Sequence, residues 1–192
     1  MKSLLVFLLA AASLHAAPQS IFDGKSIDGW RVQNAPYWTV KDGVLTGQSD
    51  ETENQKKGST LWTTKEYKDF TFETEFRFSG KVDSGVFLRN QNDQIQIGIS
   101  GSLKRDMTGS PYIASLKKYP VEAEGVAALL KEGEWNKMKI TAKGKVYTVE
   151  LNGKKVLEYT SETATEKGAI GLQVHPNLLM KVDYRNISVE EL

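Results

Sequence analysis

Cysteine is absent from the 192-residue chain, and that one absence removes several kinds of chemistry. It excludes disulfide staples, thiolate nucleophiles, cysteine-ligated zinc and a cysteine-borne lipid anchor. Histidine is scarce as well, with only His15 and His175 present. His15 falls in the segment read below as a cleaved leader, so a single imidazole remains and multi-histidine metal sites are excluded. Charge of one sign is not in excess either. Without the leader's Lys2, 24 basic residues face 24 acidic ones. A balanced chain has no electrostatic reason to bind nucleic acid or an anionic membrane. Past the first twenty residues, no apolar run approaches the roughly 18 residues of a membrane-spanning helix. The glycines form neither GxGxxG nor GxxxxGK[ST], and there is no EF-hand-like loop, so nucleotide, phosphate and calcium motifs are missing.

What is present begins with a leader. Lys2 gives a positive start, Leu4 to Ala12 is apolar, and Ala16 and Ala17 gather small residues ahead of Pro18. That order is a secretory signal peptide, too short for a membrane span; the competing reading is a buried N-terminal helix. The sequence therefore predicts a signal peptide over 1–17 and one domain over 18–192, secreted or periplasmic.

Period-two alternation recurs while helical periodicity hardly occurs. Phe70, Phe72, Phe76 and Phe78 point one way, and Thr71, Glu73, Glu75 and Arg77 the other. Ile95, Ile97 and Ile99 alternate with Gln94, Gln96 and Gly98, and Ile170, Leu172 and Val174 with Gly171, Gln173 and His175. Asp42-Gly43 and Asn152-Gly153 supply the positive φ angles of tight hairpins, with Gly144-Lys145 a weaker third. Many short strands joined by hairpins predict an all-β, two-sheet antiparallel sandwich. No internal repeat, low-complexity tract or linker interrupts it. Gly101 to Glu134 lacks alternation, apart from a short helix suggested at Glu122 to Leu130 and interrupted by Gly125. A loop this long in a compact domain is usually functional or disordered, and its Lys104, Arg105, Asp106, Tyr112, Lys117 and Tyr119 suit a binding rim.

If the isoleucine, leucine and valine rows fill the core, Arg89, Gln94, Gln96, Gln173 and His175 share the outer face of one sheet. Amides and a guanidinium suit sugar hydroxyls, because they offer fixed donors and glutamine also accepts. A merely solvated sheet face is the plain alternative. Among the tryptophans, Trp30, Trp38 and Trp135 read as core or edge packing, while Trp62, after the polar tract 49–58, is the candidate sugar platform. Glu73 and Glu75 share a face about 7 Å apart, which could serve acid–base hydrolysis. The series is short and flanked by Thr71 and Arg77, so it reads as a solvated face.

Several runs together carry a family resemblance. They are Ile21-Phe22-Asp23-Gly24 through Gly29-Trp30, Trp38 to Leu45, Asp69-Phe70 through Phe78, and Ser84-Gly85-Val86-Phe87-Leu88-Arg89. Gly133-Glu134-Trp135-Asn136, Leu151-Asn152-Gly153, Gly168 to His175 and Tyr184-Arg185-Asn186-Ile187 complete the series. In that order they resemble the 3-keto-disaccharide hydrolase family across nearly the whole mature chain. The resemblance implies a concanavalin A-like jelly roll and activity on glycosides oxidised to a ketone at C3. The family pattern often has an acid where this chain has Gln94. The implied chemistry takes a proton from C2, expels the C1 substituent and adds water. It needs a base and a cation facing the developing oxyanion. The expected roles are His175 as base, Arg89 or Lys104 as enolate stabiliser, and Asp106 as an alternative base or a ligand for a divalent cation. Gln94, Gln96, Gln173, Trp62 and Tyr112 are the expected sugar contacts. No cofactor is evident beyond that possible divalent cation, and the expected partner is a sugar or glycoside. A non-catalytic, lectin-like carbohydrate-binding module is the second reading, and a structural or interaction domain of the cell envelope the third.

Overall fold

The phenylalanine run decides the centre of the molecule. Phe70, Phe72, Phe76 and Phe78 all face inward and are buried, while Glu73, Glu75 and Arg77 between them are half-exposed. A computed structural model describes residues 17–52 and 56–192. The leader and His15 lie outside the described residues, apart from Ala17.

The described strands are β1 (Gln19–Ser20), β2 (Trp30–Asn34), β3 (Trp38–Lys41), β4 (Val44–Gln48), β5 (Ser59–Tyr67), β6 (Phe70–Phe78) and β7 (Asp83–Arg89). They continue with β8 (Asp93–Gly98), β9 (Pro111–Ile113), β10 (Asn136–Lys143), β11 (Val146–Leu151), β12 (Lys154–Thr160), β13 (Gly168–Val174) and β14 (Lys181–Glu191). Two antiparallel sheets form a jelly-roll sandwich. One runs β12-β11-β10-β6-β14-β4-β3, with β1 added on β14; the other runs β2-β5-β13-β7-β8-β9. Leu61, Val86, Leu88, Ile95, Ile97, Ile170, Leu172 and Val174 from the second sheet meet Leu45, the β6 phenylalanines, Met138, Ile140, Val149 and Val182 from the first.

The turns follow the sequence. Asp42-Gly43 and Asn152-Gly153 hold positive φ at both residues, the geometry of type I′ hairpins. In the third hairpin only Gly144 does, as expected where glycine leads a two-residue turn. The long segment is more ordered than its pattern suggests. It contains β9 and two single-turn 3-10 helices, Ala114–Leu116 and Val126–Ala128, the second beginning just after Gly125 at φ 70°.

Polar groups stitch the sheets together at their margins. Buried Asp93 accepts from Tyr147 (2.8 Å), Ser161 (2.6 Å) and Thr163 (2.6 Å). The Ser84 and Tyr184 hydroxyls meet across the core at 3.0 Å. Arg89 is the largest of these tethers. Its backbone has φ 66°, which turns the side chain off the outer face that alternation predicts. The guanidinium instead donates to the carbonyls of Gly144 (2.6 Å), Thr165 (3.0 Å) and Ala142 (3.1 Å) and to Asp69 (3.2 Å). Trp30 and Trp38 are buried, whereas Trp135 is half-buried on the outside of the larger sheet, with Arg77 and Arg185 4.6 and 4.1 Å from its ring. On that same outer face Glu73 pairs with Lys137 (2.5 Å) and Glu75 with Arg185 (2.6 Å), so the two acids are tied into a charge ladder.

Replacing Arg89 with methionine strips three carbonyls of their donor, that of Ala142 buried, and leaves Asp69 without its guanidinium partner. We expect a loss of roughly 3 kcal/mol, read as a lower urea midpoint. Burial, and for Tyr147 the adjacent Asp93 charge, pushes the Tyr147 and Tyr184 hydroxyls far above the usual phenol range. The folded state keeps protons that an unfolded chain releases near pH 10, so stability is full below pH 10 and falls above it. Each such tyrosine contributes up to about 1.4 kcal/mol per pH unit to that fall. Urea titrations from pH 9 to 11 should show a shallower decline for Tyr147→Phe, on a lower starting stability.

Candidate functional site

With one row of the smaller sheet in the core, the alternate row must face away from it. That row holds Asp83, Gly85 and Phe87 on β7, Gln94 and Gln96 on β8, and Gly171 and Gln173 on β13, with His175 just beyond. Register brings them together: Phe87 lies opposite both Gln94 and Gly171, Gly85 opposite Gln96, and Gln94 opposite Tyr112 of β9. Two glycines leave space for their neighbours. A Cβ on Gly85 would lie 2.7 Å from the Gln94 side chain and 2.6 Å from the Ile95 carbonyl. One on Gly171 would lie 2.7 Å from the Trp62 ring. The segment after β8 folds back over this face and closes a hollow of about 530 Å³. Asp83, Phe87, Gln94, Gln96, Tyr112, Gln173 and His175 line it from the sheet, together with Ser100–Ser102, Ala114 and Tyr119 from the segments that follow β8 and β9.

The polar groups are held in place by one another. Asp83 Oδ1 accepts from Gln96 Nε2 at 2.8 Å and Oδ2 from the Gly101 amide at 2.7 Å. Gln94 Nε2 donates to Gln173 Oε1 at 2.7 Å. Assigned from this network, Gln94 and Gln96 keep Oε1 as an acceptor while Gln173 keeps Nε2 as a donor. The hollow thus offers both signs of hydrogen bond from nearly immobile amides.

His175 has a defined tautomer. Its Nδ1 lies 2.7 Å from the Pro176 carbonyl, which can only accept, so the neutral ring carries its proton on Nδ1. Nε2 is left with a lone pair and sits 4.0 Å from Asp83 Oδ2. A proton arriving on Nε2 would convert this approach into an ion pair. Tyr112 and Tyr119 form an aromatic wall, with ring centres 5.1 Å apart and planes tilted by 57°. Burial pushes the Tyr119 hydroxyl up to about 12, against a lowering hydrogen bond with Ser100, so it remains a proton donor at neutral pH.

Gln94, Gln96, Gln173, His175 and Tyr112 of the sequence-derived set converge here. The other four do not. Arg89 is committed to the sheet margin described above. Lys104 lies on an exposed turn at φ 58°, with only its backbone amide bonded back to Ser100. Asp106 bends onto Thr108, accepting from its amide and hydroxyl, and faces a separate hollow with Phe78 and Glu132. Trp62 shares the outer face but is only 5% exposed. Its ring lies across Gly171, stacks on Phe87 at 5.4 Å and donates to Gln33 at 2.6 Å, so it props up the floor and offers no open platform. Sequence reasoning missed Asp83 and Phe87, and counted Tyr119 only among the residues of a binding rim, without a role. The first two were recoverable, since buried Ser84, Val86 and Leu88 force Asp83, Gly85 and Phe87 outward. Tyr119 sits in a segment without periodicity and gave no such signal.

Among the described residues no cluster of three or more His, Cys, Asp or Glu gathers. A divalent cation at Asp83 and His175 would therefore have to complete its shell with amide oxygens and water.

A protein from Parabacteroides distasonis, described as a candidate glycosyl hydrolase, superposes with a TM-score of 0.69 at 25% identity, over 91% of this chain and 99% of that one. A second P. distasonis structure of the same description gives 0.70 at 20% identity, covering 91% and 94%. The carbohydrate-binding module CBM66 from Bacillus subtilis gives 0.61 at 15% identity, covering 85% and 96%. The last two likenesses concern the fold alone. No curated protein sequence matches the chain. Residues 17–190 match the model of one family over nearly the full length, and the chain belongs to it: the 3-keto-alpha-glucoside-1,2-lyase-like domain family.

Proposed function

We propose that the hollow on the smaller sheet is the active site of an exported enzyme that cleaves glycosides carrying a ketone at C3. The observation that supports this most is the free Nε2 lone pair of His175, 4.0 Å from a carboxylate and set among buried amides. A C3 ketone acidifies the hydrogen on C2. His175 Nε2 takes that proton, and the C–H electron pair moves into an enolate over C2 and C3. The enolate then collapses, forming C1=C2 and breaking the bond from C1 to the substituent oxygen. That oxygen leaves with a proton drawn from solvent, His175 gives its proton up to solvent, and water adds across C1=C2, hydroxyl to C1 and hydrogen to C2, to give the free keto sugar. The imidazolium is stabilised by Asp83, whose charge is oriented by Gln96 and the Gly101 amide. Enolate charge would be met by neutral donors, the Gln173 amide and the Tyr119 hydroxyl, in the role first expected of Arg89 or Lys104. No pair of carboxylates is needed, in contrast to ordinary glycoside hydrolysis.

A second reading, a sugar-binding module without turnover, is favoured by one residue. Gln94 stands where the family pattern often has an acid, and the face is rich in amides.

Incubation with a 3-keto-glucoside, with and without chelator, separates the two by release of the aglycone. We expect His175→Ala to lower kcat/KM by about 100-fold or more, the usual range for loss of a general base. Asp83→Asn should lower kcat by about tenfold with little change in KM, because it removes charge that matters only once the ring is protonated. Activity of H175A within a few-fold of wild type would remove the assigned base. Calorimetric binding with no release by the wild type would favour the module.

A further inference from the structure

The turn that carries His175 is held from outside the hollow. β13 ends at Val174, and the chain passes His175, Pro176 and Asn177 (φ 59°) before β14 begins at Lys181. Two residues grip this turn, one at each end, and neither lines the hollow. Gly58, at φ 60° just ahead of β5, lies against its start. A Cβ there would come 2.7 Å from the Val174 carbonyl oxygen, 2.8 Å from the Pro176 nitrogen and 2.9 Å from the Pro176 ring. Only the missing side chain lets the two stretches of backbone pass so close. Ser49, just past β4, grips the other end. Its hydroxyl donates to the Leu178 carbonyl (2.7 Å) and accepts from the Met180 amide (2.9 Å), while its own amide donates to the Met180 carbonyl (3.1 Å). Ser49 and Met180 are both buried.

The first grip is itself anchored in the sandwich. The Gly58 carbonyl accepts from the Ala35 amide at 3.2 Å. Next in the chain, Ser59 pairs with Val174, donates to the Ala35 carbonyl at 2.6 Å and accepts from buried Trp38 at 2.9 Å. The turn therefore has little freedom of its own, although it lies outside regular structure. That matters to one bond. His175 Nδ1 reaches the carbonyl of the very next residue, at 2.7 Å, a contact that closes only over a narrow range of backbone angles at His175 and Pro176. The proline ring fixes one of these, its φ. Gly58 touches the peptide groups on either side of His175, whose relative rotation is that residue's φ and ψ.

We infer that Gly58 and Ser49 are positioning residues for His175: they hold the turn in the shape that closes the Nδ1 bond and leaves Nε2 bare toward Asp83. The kinetic part rests on the reading of His175 as the base; the tautomer part does not. A displacement of the turn opens the Nδ1 bond, and both tautomers become populated. A ring protonated on Nε2 has no lone pair there with which to take a proton. Gln94, Gln96 and Gln173 stand within strands β8 and β13, ahead of the turn, so the loss falls on kcat and spares KM.

The test reads the imidazole directly, by nitrogen NMR shifts at a pH where the ring is neutral, with His175→Ala identifying its signals. The wild type should carry its hydrogen on Nδ1. Gly58→Ala should show a mixture of tautomers. With a 3-keto-glucoside its kcat should fall about tenfold or more at a KM within about threefold, the scale of a misplaced catalytic group. Ser49→Ala should move both readings the same way by less, and it decides the matter if Gly58→Ala does not fold. Tyr147→Phe is the control: Tyr147 bonds Asp93 at the opposite end of the smaller sheet, so this destabilised variant should keep the wild-type tautomer and kcat. A wild-type tautomer in the folded grip variant, whatever its kcat, overturns the inference while leaving the proposed reaction standing. So does an equal tautomer change in Tyr147→Phe, which would mark general loosening. A tautomer change with kcat untouched, or in a protein that never turns over, supports the grip and counts against the reaction.

Discussion

Register in the smaller sheet is the constraint from which the rest follows. Its strands alternate between a core row of leucine, isoleucine and valine and an outer row of acid, amide, glycine and imidazole. A slip of one residue would exchange the two rows, burying Gln96 and Asp83 between the sheets and exposing Ile95 and Ile97. The energy of burying the apolar row therefore also fixes where each polar atom of the hollow sits. Positional accuracy in the site comes from hydrophobic packing on the opposite side of the same strands.

The polar residues divide into two populations by partner. Asp93, Arg89, Ser84 and Tyr184 bond between the sheets or across their margins, and those bonds satisfy groups that would otherwise be costly to bury. Asp83, Gln94, Gln96 and Gln173 bond to one another on a single face and retain unused donors and acceptors. Groups that are buried, mutually fixed and incompletely used are prepared for a ligand. The outer face of the larger sheet makes a useful contrast. There, charge answers charge in Glu73–Lys137, Glu75–Arg185 and Arg77–Asp183.

Much of this was legible from residue order alone. The two-sheet architecture, the hairpins at Asp42-Gly43 and Asn152-Gly153, and the grouping of Gln94, Gln96, Gln173 and His175 all follow from period-two reasoning. The rule failed where the backbone leaves the extended region. Arg89 sits at an outward position by count, yet φ 66° swings it to the sheet margin, and no single-residue propensity announces that at an arginine. Trp62 failed differently. Alternation placed it on the correct face, but the missing side chain at Gly171 lets a neighbouring strand's indole lie flat and become floor. Lys104 and Asp106 belong to a segment whose path is set by tertiary contacts, including the bridge between Ile99 and Asp106, which sequence patterns do not encode.

The bond from His175 Nδ1 to the carbonyl of the next residue has a kinetic meaning. An imidazole open at both nitrogens can work as a wire, receiving hydrogen at one side and releasing it at the other. Here the far terminal is capped by the chain's own backbone, so the ring is a dead end with a single port. Whatever hydrogen it accepts must depart through that same port, toward the face from which it came.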